Sequence, residues 1–527
     1  METILENISR FFQQEKTLLL LGSGLGFVVF VLMYWFGLFP LDSSWFVFCT
    51  ILLLLAALYR PAWVFLCLLT WLPLEVITLA PAGFGGGWRP YQWLALGLFV
   101  ALGIRKLSGR PTPLFRWHWL DGVLMMIPLS VIISAFALGI PGSVRLGGVF
   151  GVFALLYLLA RFFWRSPKEI LAAVPFVALG MVLSLMAGLA QAILHTFSGS
   201  GFMVMPGRPN ASFTEPDWYG AFLLVVIALG LALVKHLRRH SDPVFIGRIY
   251  FFSSSVRFLF LGISFLLLVL TVSRSAWLGA GMLSFIFIFL VSLPVNQAPR
   301  KFQWREGLFF GNALVVLVGF AVMIALGAGL TRFDLGSRAA STATGFQKIT
   351  LACLDDRTLP FRIDSLDELD PLGCRFITLE EIPDRENEGL IVRTILRPDP
   401  NVEIRRHIYE TSFGALQEHP LRGIGWGTIG DRLGRDERGA ALNASNIFLE
   451  VWLGAGIVGV GAFLLFLGGS IVFLYRRLRF GGRYPEISIF IASTLGGLMV
   501  FNLFNSGILL GWVWVFFALL PTQALSE

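Results

Sequence analysis

Charged residues are scarce in this sequence. Lys, Arg, Asp and Glu make up 14% of the 527 residues, whereas soluble domains usually carry about 25%. Hydrophobic residues account for 56% of the chain, and its mean hydropathy is +0.75. This composition excludes a set of ordinary soluble domains and predicts a polytopic membrane protein.

Cysteine is also scarce. Four cysteines are too few for a disulfide scaffold. Cys353 and Cys374 fall in one long polar segment, where the sequence leaves open either a bridge between them or two unpaired thiols. The sequence has no CxxC pair and no cluster of histidines and cysteines, so it predicts no metal site.

Apolar runs predict fourteen membrane spans, of which the second and third are short and are either tilted or re-entrant alternatives to a full span. The fourteen spans lie at 17–38, 44–59, 61–79, 90–104, 119–139, 146–163, 169–194, 217–237, 258–273, 276–295, 308–330, 446–475, 486–504 and 508–523. With the N-terminus inside, the inner segments hold 22 Lys and Arg, and the short outer loops hold four. This asymmetry predicts that both termini are cytoplasmic and that 331–445 is extracytoplasmic. We therefore expect an all-α membrane protein with a bundle of about 12–14 transmembrane helices.

The chain divides into three predicted parts. Residues 1–330 form a transmembrane bundle of about eleven spans, 331–445 an extracytoplasmic loop domain, and 446–527 the C-terminal transmembrane helices. Within the loop domain, short β-branched runs bounded by Asp, Gly and Pro predict a β-rich insertion over 341–400. The apolar spacing then changes to a helical period, which predicts a helix over 401–420.

A charge interrupts a long apolar stretch in "VLTVSRSAWLGAG". The predicted topology puts Arg274 at an outer hairpin between two spans, with Ser273 and Ser275 beside it. An arginine at this level can simply bind lipid headgroups. A guanidinium held in a tight turn can also make bidentate contacts with a phosphate. The hairpin alone leaves both interpretations open.

Three further outer stretches carry polar side chains: "PGRPNASFTEPDWYGAF", "VEIRRHIYETSFGALQEHP" and "NASNIFLEVWLGAGIVG". Each also has a purely structural interpretation, as an interfacial loop, a solvated helix face or a helix start favoured by its dipole. The side chains that they offer for binding or catalysis are Arg208, Glu215, Asp217, Arg405, His407, His419, Ser445, Asn446 and Glu450.

Taken in series, these four stretches resemble the O-antigen ligase and O-antigen polymerase superfamily of bacterial membrane glycosyltransferases. "GRPNASFTEPDWYGAFL" resembles its Arg, Phe and Pro-Asn approach to a span, and "TVSRSAWLG" is similar to its Ser-Arg-Gly-Ala-Trp hairpin. "RHIYETSFGALQEHPLRGIGWG" resembles its Arg-x-x-x-Trp helix, with Arg405 and Tyr409 at the Arg and Trp positions. "SNIFLEVWLGAGIVG" is similar to its His-Asn, nine residues, Gly-x-x-Gly pattern. The resemblance covers about 200–475.

The resemblance implies a helical bundle in the bacterial cytoplasmic membrane, with a large periplasmic loop over an outward cavity. It implies an enzyme that moves a glycan from an undecaprenyl-diphosphate carrier to a hydroxyl of a glycan or glycolipid acceptor, without a metal, a cofactor or a nucleic acid. Arg208, Arg274 and Arg405 would contact the diphosphate, because arginines can stabilise the charge on the leaving phosphate. The sequence leaves open whether the acceptor is lipid A-core, as for a ligase, or another lipid-linked glycan, as for a polymerase.

The sequence departs from the family pattern at the catalytic histidine, where Ser445 stands before Asn446. Serine cannot act as the base unaided. The remaining interpretations are a base from another segment, a dissociative reaction that needs little base, or a member that binds glycans without catalysis. The groups considered for the base are His419, His407, Glu215, Asp217 and Glu450.

A transporter of small anions is the rival function. Fourteen spans are compatible with it, but the inner halves of the spans hold few ionisable residues. Carriers usually place such groups near the bilayer midplane and build their sites from paired broken helices. The sequence therefore favours a glycan-transferring membrane enzyme over a transporter.

Overall fold

The computed structural model describes residues 2–84, 87–110, 115–136, 141–199, 201–239, 254–293, 302–331, 333–355, 359–377, 381–435, 441–480 and 485–524. Its helices are α1 (Glu2–Trp35), α2 (Ser43–Tyr59), α3 (Pro61–Trp71), α4 (Pro90–Leu107), α5 (Trp119–Phe136), α6 (Pro141–Phe163), α7 (Pro167–Ser198), α8 (Pro216–Arg239), α9 (Ser254–Leu270), α10 (Arg274–Ser292), α11 (Trp304–Gly327), α12 (Leu335–Thr344), α13 (Ile382–Asn387), α14 (Pro400–Glu418), α15 (Ile429–Leu433), α16 (Ile447–Phe480), α17 (Pro485–Asn502) and α18 (Gly511–Ala524). Its strands are β1 (Phe346–Cys353), β2 (Cys374–Ile377) and β3 (Ile391–Pro398).

The predicted all-α membrane fold is confirmed. Each of the fourteen predicted spans coincides with a helix, and eight stretches of the described chain are long and apolar enough to cross a membrane. These eight are Glu15–Trp35, Ser143–Phe163, Pro167–Ser198, Pro216–His236, Arg274–Ser292, Trp304–Gly327, Ile447–Phe480 and Pro485–Asn502. Five of the remaining helices are shorter apolar ones: Ser43–Tyr59, Pro61–Trp71, Trp119–Ile133, Val256–Leu270 and Gly511–Thr522.

The predicted span 61–79 is helical only in its first part. α3 ends at Trp71, and a buried irregular segment follows it. Pro73 has no backbone N–H to donate to the Leu69 carbonyl, and its ring would clash with that carbonyl in a continued helix, which accounts for the early end. The irregular segment is held by buried Glu75, whose carboxylate accepts hydrogen bonds from Arg89 and Tyr91. Non-helical backbone at this depth is tolerated because it is buried in protein.

The core of the bundle is built around α8, α10 and α17. The stretch Pro216–His236 of α8 is the most buried of the eight spans. α10 packs closely on α17 where Gly279 meets Gly497, and a Cβ at Gly279 would lie 2.8 Å from the Gly497 carbonyl oxygen. Small residues allow helices this close in a membrane bundle. This packing fixes the start of α10, and therefore Arg274, against the end of α17.

The loop domain contains a three-stranded antiparallel sheet in the order β2-β1-β3. Its strands lie within the predicted β-rich insertion, and Cys353 and Cys374 are joined by a disulfide that pairs β1 with β2. The apolar residues behind the sheet, which include Ile349, Leu351 and Ile395, form a small core of their own. α14 starts directly after β3, so the sheet sets the starting point of this helix.

α16 carries a break that admits the loop after α14. Gly456 has a φ of +66°, a value that favours glycine. A Cβ at this position would lie 2.1 Å from the Leu421 carbonyl oxygen. The backbone N–H groups of Ile424 and Gly425 donate to the Leu453 carbonyl at 2.8 and 3.1 Å. These contacts hold the outer end of α16 beside the loop domain.

Candidate active site on the outer side of the bundle

The hairpin between α9 and α10 holds Arg274 in place. α9 ends at Leu270 and α10 begins at Arg274, so the connection is a tight turn with Val272 at a φ of +52°. Arg274 donates from Nη1 to Oδ2 of Asp399 at 2.9 Å. The Asp399 side chain is fully buried, whereas 21% of the Arg274 side chain is exposed. The ion pair therefore joins the hairpin to the loop domain and leaves part of the Arg274 side chain exposed.

Arg208 reaches the same turn from the loop between α7 and α8. Its Nε donates to the Thr271 carbonyl oxygen at 2.8 Å, and its Nη2 lies 3.4 Å from Oδ2 of Asp217. The Asp217 side chain is 30% exposed, and that of Arg208 is 13% exposed. Arg208 and Arg274 are thus both anchored at the hairpin, although they are 66 positions apart in the sequence.

Arg405 approaches from α14, where its guanidinium carbon lies 5.4 Å from the centre of the Phe504 ring. Burial lowers the pKa of Arg405 below its ordinary value, and the positive charge of Arg274 lowers it further. Phe504 adjoins Asn505, whose side chain donates to Oγ of Ser275, the residue after Arg274. Arg405 therefore belongs to the same site as Arg274.

Arg338 is a fourth arginine of this site, and the sequence analysis missed it. It lies on α12, half-buried, with its guanidinium carbon 5.8 Å from the Phe333 ring centre. Burial lowers the pKa of Arg338, and the positive charges of Arg208 and Arg274 act in the same direction. Arginine stays protonated under these conditions, because its ordinary pKa is far above neutral. The site therefore keeps four cations in proximity.

We call this group the arginine cluster. Its members are Arg208, Arg274, Arg338 and Arg405, with the carboxylates of Asp217 and Asp399. Four guanidinium groups and two carboxylates leave an excess of two positive charges. Arginine is suited to bind the oxygens of a phosphate, and four of them from separate segments can surround such a group. The cluster is thus a concentration of positive charge on the predicted outer side.

The loop between α17 and α18 forms the floor of the site over 503–506, which we call the floor loop. Asn446 donates to the Leu503 carbonyl at 3.2 Å, and the Phe504 ring contacts Arg405. Asn505 donates to Oγ of Ser275 at 2.9 Å. Each of these consecutive residues contacts a different segment of the site, so the floor loop fixes the segments relative to one another.

The segment at the start of α16 has a well-defined local structure. The Asn446 side-chain oxygen accepts the N–H groups of Phe448 and Leu449, at 2.9 and 3.2 Å, and so caps the helix. Ser445, immediately before it, has a φ of +49°. The buried Glu450 carboxylate accepts the Ala444 N–H at 2.6 Å and the hydroxyl of the floor-loop residue Ser506 at 3.2 Å. The catalytic role predicted for Ser445 and Asn446 stays a prediction.

The other predicted acid–base residues lie at different distances from the cluster. His407 is exposed on α14, and two helical positions rotate it about 200° from Arg405, onto the opposite face. His419 follows Arg405 by fourteen residues, which corresponds to about 21 Å along the helix. Glu215 is half-buried at the start of α8, two residues before Asp217. The two carboxylates are therefore nearer to the cluster than the two histidines.

Of the residues missed by the sequence analysis, only Asp399 left a recognisable signal. It sits between two prolines in "PDP", immediately before α14, where aspartate is a common helix-capping residue. That signal predicts a cap and not an ion pair with a residue 125 positions away. Arg338 lies in the polar stretch "LGSRAASTAT", which has no feature that indicates a site.

Residues 258–464 match the family model described as O-antigen ligase. The chain carries an O-antigen ligase domain. This finding confirms the predicted superfamily, and the protein is accordingly an O-antigen ligase-like bacterial membrane enzyme. The matched segment includes Arg274, Arg338, Asp399 and Arg405. No curated protein matches the chain.

The O-antigen ligase domain and the candidate site do not have the same boundaries. The family match begins after Arg208 and ends before the floor loop, 503–506. Both of these nevertheless contact the matched residues, through the Thr271 carbonyl and through Ser275. The match to the O-antigen ligase family implies a lipid-linked glycan and an acceptor as partners.

Proposed function

We propose that this enzyme transfers a glycan from an undecaprenyl-diphosphate carrier to a hydroxyl of a glycan or glycolipid acceptor, on the outer face of the cytoplasmic membrane. The arginine cluster carries this proposal. Its four cations exceed its two carboxylates by two charges. A diphosphate that links a lipid to a sugar has one ionised oxygen on each phosphate, so the charges are complementary.

In the proposed reaction the acceptor hydroxyl oxygen attacks the anomeric carbon of the donor sugar. The bond between that carbon and the diphosphate oxygen breaks, and its electron pair stays on the diphosphate. The hydroxyl proton passes to a base. Arg208, Arg274 and Arg405, together with Arg338, stabilise the charge that develops on the leaving oxygen, and groups held in place before the reaction do this most effectively.

The ion pairs of the site support this role by orienting the arginines. Asp399 is fully buried and accepts a hydrogen bond from Nη1 of Arg274 at 2.9 Å, which fixes the orientation of the guanidinium, while 21% of the Arg274 side chain is exposed. Thr271 and Asp217 hold Arg208 in the same way. Oriented donors do not have to reorganise during the reaction, and this saves free energy in the transition state.

The proposal includes the predicted topology, with both termini cytoplasmic and 331–445 extracytoplasmic. The acceptor is not decided by the cluster, because a ligase and a polymerase would use the same donor. The experiment therefore supplies the ligase acceptor and the polymerase acceptor separately.

The test is transfer in proteoliposomes that contain a labelled undecaprenyl-diphosphate oligosaccharide. One arm supplies lipid A-core as acceptor, and the other supplies a second lipid-linked glycan. We expect Arg274→Ala to lower transfer by about 10–150-fold, which corresponds to one charge-assisted contact of about 1.5–3 kcal/mol. Arg362→Gln is the control, because Arg362 is half-exposed in the β-rich insertion and pairs with Asp364.

The comparison requires that Arg274→Ala inserts and folds as the wild type does, shown by equal yield and size-exclusion behaviour. Transfer at the wild-type rate by Arg274→Ala would contradict the diphosphate role. Uptake of a small anion by the wild-type protein, without transfer to either acceptor, would show a transporter instead.

A further inference from the structure

A small pocket lies beside the arginine cluster, at the outer ends of α7 and α11. Its volume is about 150 Å³. The described residues that line it are His195, Thr196, Gly199, Gly207, Gly329, Leu330 and Phe333. Of these residues His195 alone has a side chain that can exchange a proton near neutral pH. The volume is below the roughly 300–1,000 Å³ of whole-ligand pockets, so this pocket suits one end of a larger molecule.

Two walls of the pocket continue into the cluster. Gly207 directly precedes Arg208, whose guanidinium is anchored at the α9–α10 hairpin. Phe333 contributes its ring, and the guanidinium carbon of Arg338 lies 5.8 Å from the centre of that ring. A molecule that binds in the pocket would therefore contact Phe333, whose ring lies near Arg338, and Gly207, the residue before Arg208.

His195 is held by a rigid segment of backbone. It lies in the last turn of α7, and its carbonyl accepts the N–H of Gly199 at 3.0 Å. One turn earlier, the buried Gln191 side chain donates to the carbonyls of Phe202 and Ala211, at 3.1 and 3.0 Å. Gln191 thereby ties the end of α7 to the loop that carries Arg208. The backbone of His195 and the loop that carries Arg208 thus belong to the same small unit of structure.

We propose that His195 is the base that accepts the proton of the acceptor hydroxyl. This inference rests on the glycan transfer proposed above. A neutral imidazole nitrogen takes the proton as the hydroxyl oxygen bonds to the anomeric carbon, while the diphosphate leaves with the electron pair of the broken bond. The resulting imidazolium then releases the proton to solvent. The pocket receives the acceptor end that carries the hydroxyl, and the cluster holds the diphosphate.

This assignment accounts for the sequence at the start of α16. Ser445 occupies the family's histidine position, and serine alone cannot accept the proton. The histidines of α14 lie on the far face of that helix or about 21 Å along it from Arg405. His195 instead lines a pocket whose walls contact the cluster, and it comes from a segment outside the family match.

The test compares histidine substitutions in the same proteoliposome transfer assay. We expect His195→Gln to lower kcat by about 10²–10⁴-fold, the usual contribution of a general base. His118→Gln is the matched control, because His118 lies near the start of α5 and contacts Phe473, away from the pocket. Donor affinity, measured as binding of undecaprenyl diphosphate, should change less than threefold in His195→Gln.

A second variant separates catalysis from structure. His195→Ala leaves a space in the pocket. Added imidazole should raise the transfer rate of this variant at least tenfold over its rate without imidazole. Loss of transfer without imidazole rescue, together with weaker donor binding, would show a structural role and overturn the proposal. So would a larger loss in His407→Gln or His419→Gln than in His195→Gln. If His195→Gln transfers normally while Arg274→Ala does not, this inference fails and the glycan-transfer proposal stands.

Discussion

Two adjacent arginines of α14 provide the sharpest test of the cluster. Arg405 is half-buried, contacts Phe504 and interacts electrostatically with Arg274. The side chain of Arg406 is 78% exposed and donates from Nε to Glu410 at 2.8 Å. Replacing each of them by Gln removes one positive charge from the same helix. The two variants therefore differ only in whether the charge faces the cluster.

The expected magnitudes follow from these environments. A charge-assisted contact with a phosphate oxygen contributes about 1.5–3 kcal/mol, and about 1.4 kcal/mol corresponds to a factor of ten. Arg405→Gln should therefore lower kcat/KM for glycan transfer by about 10–150-fold. An exposed ion pair such as Arg406–Glu410 contributes at most about 1 kcal/mol to stability. Arg406→Gln should leave transfer within about threefold of the wild type.

The assay is transfer of labelled glycan from the undecaprenyl-diphosphate donor, with both variants reconstituted at equal amounts. Arg405→Lys adds a third point, since lysine keeps the charge but loses the planar fork of donors. We expect its activity to fall between those of the wild type and Arg405→Gln. Equal losses in Arg405→Gln and Arg406→Gln would show that only the net charge of α14 matters, and would refute the cluster geometry.

The remaining predictions concern stability. Glu450→Ala removes the acceptor of the buried Ala444 N–H, which costs about 1–3 kcal/mol of stability. The melting temperature of this variant in detergent should therefore lie below that of Glu450→Gln, which keeps an acceptor oxygen. Equal melting temperatures would contradict this account. Cys353→Ser with Cys374→Ser removes the disulfide between β1 and β2, which typically contributes about 2–4 kcal/mol. The double variant should be cleaved faster by protease in the β-rich insertion, whereas an unchanged cleavage rate would show that the sheet is stable without the bridge.

Most of the fold could be predicted from hydropathy, because a membrane imposes a simple requirement on each helix. All fourteen spans predicted from apolar runs coincide with helices in the structure. The run at 61–79 differs from a full helical span, because it contains a helix of eleven residues followed by buried irregular chain. Hydropathy reports burial and cannot distinguish these two structures, since both keep their backbone away from water. The distinguishing feature was Pro73, which indicates a helix end but not its tertiary partners.

The candidate site could be predicted only where the chain has a local signature. Arg274 interrupts an apolar stretch, and Arg208 and Arg405 lie in stretches that resemble family motifs. Arg338 has neither property, because it is one charge in a polar helix. Its membership of the cluster depends on where the assembled fold places α12, and a single sequence does not contain that information. The number of cations at the site was therefore underestimated.

The floor loop, 503–506, shows why local signatures are insufficient here. It contacts Arg405 through Phe504 and Ser275 through Asn505, and it holds the start of α16 through Leu503 and Ser506. The sequence "LFNS" was predicted to form the end of the span 486–504 and the beginning of the connection to the next span. Its contacts join segments up to about 230 positions apart, and each contact uses a common type of hydrogen bond or ring interaction. Because the four arginines come from four segments, their relative positions depend on such connections, and the geometry of the site is a property of the assembled bundle.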